Sequence, residues 1–113
     1  MAVILSRFMG EIVFGPIPVT ITGHGDSLHC TAKINGKVYY QPATGIEVMP
    51  GDIITLSVPP NSYIRIDGVS AGFFILGGSY DWTVPKSIKE INIDFTINNS
   101  NDGYKINVTT TKR

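Results

Sequence analysis

The chain is poor in the residues that most chemistry needs. Its 113 residues hold one cysteine, Cys30, and two histidines, His24 and His29. Small exported domains are commonly stapled by paired cysteines, so a single thiol excludes the disulfide scaffold and leaves Cys30 as a small core residue. A zinc site wants three or four converging ligands, and His24, Asp26 and His29 do not make one, since Cys30 points to the strand face opposite His29. No metal and no cofactor are expected. A Ser-His-Asp trio can be drawn from Ser27, His24 and Asp26, but nothing fixes its geometry, and catalysis is not expected.

Charge of one sign is also lacking. Nine basic and nine acidic residues cancel, the charged fraction is 16%, and no window carries a basic cluster. A nucleic-acid binder needs several phosphate-neutralising cations on one face, so that partner is disfavoured. No stretch approaches the roughly 20 apolar residues that span a bilayer. The start, Met1-Ala2-Val3-Ile4-Leu5-Ser6-Arg7, lacks the early positive charge and apolar core of an export signal, so the expectation is synthesis in the cytoplasm without export and no membrane partner. Without export, the acceptor patterns Asn98-Asn99-Ser100 and Asn107-Val108-Thr109 carry no information. Gly23-His24-Gly25 begins like a dinucleotide fingerprint, but Leu28 stands where the third glycine belongs and no helix follows.

What the chain does have is alternation with a period of two. Leu28, Cys30, Ala32 and Ile34 run apolar every second residue, Asn35-Gly36 supplies a two-residue turn, and the return passes through Val38 and Tyr40. Residues 53–58 alternate again after Pro50-Gly51-Asp52, and Pro59-Pro60 ends that ladder for want of N–H donors. Residues 63–66 meet a second hairpin signal at Asp67-Gly68. The apolar run Phe73-Phe74-Ile75-Leu76 fits either continuous burial or a twisted edge. Tyr80, Trp82 and Val84, then Ile91, Ile93, Phe95 and Ile97, and last Tyr104, Ile106 and Val108 each mark one face of a strand. These segments predict an all-β domain over residues 19–113, an immunoglobulin-like β-sandwich of about seven to nine antiparallel strands.

Residues 1–18 differ. Val3, Ile4, Leu5, Phe8, Ile12 and Phe14 make this the most apolar segment, punctuated by Gly10, Gly15, Pro16 and Pro18, so it reads as short first strands or as an extended arm and not as a helix. One sandwich face can bury only one side of residues 3–8, which makes these six residues candidates for docking on another subunit. Tyr39, Tyr63 and Tyr80 are candidate glycan contacts, because aromatic rings on a β surface stack on sugars; half-buried tyrosines covering their neighbours are the ordinary alternative.

The order of several phrases resembles small immunoglobulin-like modules in structural proteins of tailed bacteriophages of gut bacteria. These are Val19-Thr20-Ile21-Thr22-Gly23, Lys33-Ile34-Asn35-Gly36-Lys37-Val38-Tyr39, Glu47-Val48-Met49-Pro50-Gly51-Asp52-Ile53-Ile54, Ile66-Asp67-Gly68, Tyr80-Asp81-Trp82-Thr83-Val84-Pro85, Ile91-Asn92-Ile93 and Ile106-Asn107-Val108-Thr109-Thr110. Pro59-Pro60 and the apolar residues 73–76 depart from that pattern. The resemblance implies a non-enzymatic virion protein: a capsid decoration or head-fibre subunit docking through its N-terminal region, or else a small tail-associated protein. It implies other virion proteins as partners. Closed homo-oligomers are common and a trimer would suit a capsid threefold or a fibre, though no heptad or other sequence signal sets the number. A carbohydrate-binding adhesion module holding surface glycan is the alternative function. No catalytic residue is implied.

Overall fold

The computed structural model describes residues 15–24, 29–98 and 103–113. Ten strands run through them: β1 (Ile17–Gly23), β2 (Thr31–Ile34), β3 (Lys37–Tyr39), β4 (Ala43–Val48), β5 (Ile53–Val58), β6 (Ser62–Ile66), β7 (Val69–Phe74), β8 (Gly78–Thr83), β9 (Ile88–Asn98) and β10 (Gly103–Lys112). They form a six-stranded sheet in the order β4-β1-β9-β10-β6-β7 and a four-stranded sheet in the order β3-β2-β5-β8. The buried faces of both sheets share one apolar cluster, with Ile21, Ile64, Ile91, Ile93, Phe95 and Ile106 from the larger sheet meeting Ala32, Ile34, Ile54, Leu56 and Trp82 from the smaller. The arrangement is that of a two-layer β-sandwich.

Local chemistry explains the elements. At the β2–β3 turn Asn35 and Gly36 both take positive φ, 52° and 82°, as a two-residue hairpin of this hand demands. Asp67 and Gly68 do the same between β6 and β7 at 51° and 83°. Pro50-Gly51-Asp52 is a corner between sheets: the Asp52 carboxylate accepts the Met49 N–H at 2.9 Å, the Gly51 N–H donates to Val84 O, and the Val84 N–H donates to Asp52 O. Ser62 is the buried polar side chain among the described residues, and its hydroxyl accepts the Tyr104 N–H at 2.9 Å and donates to Pro60 O at 3.3 Å. Hydrogen-bonded in this way it avoids the penalty of an unpaired buried group.

The expectations need correction in three places. The described residues form ten strands where seven to nine were expected, and they are not all antiparallel, since β1 pairs with β9 and β10 with β6 in parallel. The chain changes sheet at every connection except the hairpins β2–β3, β6–β7 and β9–β10, so a strand returning from the other layer can enter beside a neighbour of either direction. The strand expected over residues 27–34 begins at Thr31. Of the two readings of residues 73–76, the edge is the one found: β7 lies at a sheet edge and only Phe74 of the four packs against the core. β1 opens at Ile17, at the end of the segment read as first strands or an arm, and Ile17 is fully buried opposite Val48.

Candidate functional site

Among the exposed apolar side chains of the described residues, three follow within four positions where β7 turns into β8, and one of them, Leu76, is the most exposed of all. Phe73 is 50%, Ile75 62% and Leu76 88% exposed. Folding does not leave them there by looseness. The β6–β7 hairpin is tied down through Asp67, whose carboxylate accepts the Thr110 N–H at 2.8 Å and the Thr110 hydroxyl at 2.7 Å, and whose own N–H donates to Val108 O. The Gly77 N–H closes the turn on Phe74 O, while the Asn61 N–H donates to Ile75 O and joins it to the Pro59-Pro60 corner. Gly77 has φ 82°, and a Cβ there would sit 3.1 Å from Val58 O and 3.2 Å from the Pro59 carbonyl carbon, so only glycine lets the two corners meet. Two tied corners thus hold Ile75 and Leu76 outward.

A register shift decides which aromatic joins them. β7 carries one extra residue, so that Ile64 faces Gly72 while Arg65 faces Ser70, and Ala71 is bulged. Beyond the bulge Tyr63 lies opposite Phe73 and Ser62 opposite Phe74, which turns Phe74 inward and Phe73 outward. The Tyr63 and Phe73 rings stand 6.4 Å apart at 42°. The Arg65 guanidinium lies 5.3 Å and Lys105 Nζ 5.8 Å from the centre of the Tyr63 ring, within cation–π range, and neither cation has a carboxylate partner among the described residues. The outer face of the larger sheet therefore ends in an aromatic pair flanked by two positive charges.

The other candidate residues lie elsewhere. Tyr39 is registered against Ala32 and Tyr80 against Leu56, so both rings are half-buried and pack against the core from opposite edges of the smaller sheet. The expected placement of Tyr39 on the polar face is corrected: the two-residue turn pairs Lys33 with Val38, and it is Val38 and Tyr40 that are exposed. Tyr39, Tyr63 and Tyr80 do not share one surface. His24 is exposed, with Nε2 3.7 Å from the Asp94 carboxylate that also accepts the Thr22 hydroxyl at 2.6 Å. The His29 ring tilts against Tyr104 at 5.5 Å. Asp26 and Ser27 lie outside the described residues, as do the docking candidates Val3, Ile4, Leu5, Phe8, Ile12 and Phe14. Among the described residues no three His, Cys, Asp or Glu side chains gather as metal ligands. Cys30 is fully buried, and burial pushes its thiol up to about 12, far from a reactive thiolate.

Reading by alternation missed Leu76 and Ile75 as surface features. The signal that could have found them is the glycine pair Gly77-Gly78, which closes a corner and not a buried strand. No protein-family model, no curated protein and no solved structure matches the chain.

Proposed function

We propose that this chain is a non-enzymatic structural module of a tailed-bacteriophage particle, an immunoglobulin-like domain attached as a capsid decoration or head-fibre protein through its N-terminal region. The resemblance in phrase order supplies the particle. The observation that carries the assembly half of the reading is the apolar turn at Ile75 and Leu76, held outward by hydrogen-bonded corners. A fixed cluster of this kind is a liability for a free monomer and an interface for an assembly component. Two layers with parallel pairing of the first strand to a late one are compatible with an immunoglobulin-like chain path. The buried, protonated thiol suits a particle component made in a reducing cytoplasm.

The test is the number of copies per purified virion of the phage that encodes the chain, measured by quantitative mass spectrometry against the major capsid protein. A decoration protein gives a copy number comparable to the capsid subunit. A handful of copies moves the module to the tail or a vertex, and absence from infectious particles overturns the reading.

A further inference from the structure

We infer that the apolar tip formed by Phe73, Ile75 and Leu76 receives residues 3–14 of a second copy of this chain, so that copies associate tip to arm. The inference rests on reading residues 3–14 as an interface segment, but not on the particle in which the chain works. Among the described residues four strands close the two sheets: β3 carries Lys37, β4 carries Glu47 and β8 carries Asp81, whereas β7 carries no charged residue. Charges on an edge are what keep sheets from pairing with other chains, and β7 lacks them. The stretch from residue 68 to residue 80 is likewise uncharged. The Ala71 bulge interrupts the edge, which confines strand addition to Gly72–Phe74 and leaves the side chains of the turn to supply the apolar contact.

Among residues 3–14 only Arg7 and Glu11 are charged, and Val3, Ile4, Leu5, Phe8, Ile12 and Phe14 match the tip in chemistry. Position selects the second copy over the same one. Through the pairings of β1 with β9, β9 with β10, β10 with β6 and β6 with β7, Phe74 lies at the end of the larger sheet where β1 finishes, whereas residues 3–14 join at Ile17, where β1 starts. To reach its own tip the segment must travel about 26 Å along the strands and about 19 Å across the four strand spacings from β1 to β7, a diagonal that uses about ten extended residues. Phe8, Ile12 and Phe14 would be spent on the way. A neighbour whose tip lies beside the start of β1 meets the whole segment. Because donor and acceptor are different surfaces at opposite ends, the contact is heterologous and closes into a ring or continues as a filament.

Sedimentation of the full-length protein at micromolar concentration tests this with two variants. Leu76→Asp changes an exposed side chain and removes the acceptor; Leu5→Asp combined with Phe8→Asp removes the donor. The unmodified chain sediments above its 12.3 kDa monomer mass, and each variant alone sediments at that mass. An equimolar mixture of the two variants recovers a heterodimer of about twice that mass, which grows no further because each copy keeps one working surface. An unmodified chain that stays monomeric, a Leu76→Asp variant of undiminished size, or a mixture that fails to pair overturns the inference. So does loss of the near-ultraviolet signal of Trp82 in the double arm variant, which would place residues 3–14 in their own core. Absence of the protein from virions, with self-association intact, would overturn the particle reading alone.

Discussion

Cys30 shows at the scale of one residue how burial becomes a measurable dependence on pH. The thiol ionises near 9.0 when free and is pushed up to about 12 in the fold, because the interior disfavours the thiolate. Between those values the unfolded chain releases a proton that the folded chain keeps, so stability conferred by the neutral thiol is complete below about pH 9 and falls as pH rises towards 12. The comparison that isolates Cys30 is with Cys30→Ala. The difference in urea midpoint between the two proteins should be constant up to about pH 9 and shift against the unmodified chain above it. The same burial predicts that a thiol reagent labels Cys30 only as fast as the domain opens.

At the scale of elements, the hairpins carry much of what could be read without a structure. Asn35-Gly36 and Asp67-Gly68 marked their turns correctly, and the alternating faces of β5 and β9 were plain from Ile54, Leu56 and Val58 and from Ile91, Ile93 and Phe95. Gly36 has open space around the position of a Cβ, so Gly36→Val tests backbone conformation alone. Forcing a β-branched residue to φ 82° should cost about 1–2 kcal/mol and lower the melting temperature by about 5–10 °C. An unchanged melting temperature would contradict the turn geometry. Tyr39 was misplaced even though the information was present: a two-residue turn fixes Ile34 opposite Lys37 and hence Ala32 opposite Tyr39, and alternation counted from Val38 overrode it. Phe73 is a different case. Without the bulge at Ala71 it would face Ser62 and the interior; a single extra residue in β7 exchanges the roles of Phe73 and Phe74, and no local signal records it. The cluster around Tyr63 was half legible for the same reason, since Arg65 follows from spacing along β6 whereas Phe73 and Lys105 arrive through bulge and sheet order.

For the whole molecule the decisive feature is which strands lie at the centre of the larger sheet. The β9–β10 hairpin stands between the pair β4-β1 and the pair β6-β7, and it is the last part of the domain to be synthesised. Until it is present the earlier pairs have no common neighbour, and Ile21 and Ile64 lack the apolar faces of β9 and β10 that cover them. The pairing of β1 with β9 joins Val19 to Ile91 across most of the chain, a separation that slows folding because a long loop must close before any contact rewards it. Completion of the larger sheet during translation is therefore expected to come late. Chains held on the ribosome that end at Pro85 should be cut by protease as readily as unfolded chain, with resistance appearing only once Lys112 has cleared the exit tunnel. A cell that makes many copies at once would then hold a standing pool of unfinished, sticky chains, and the rate of translation through the last two strands sets the size of that pool.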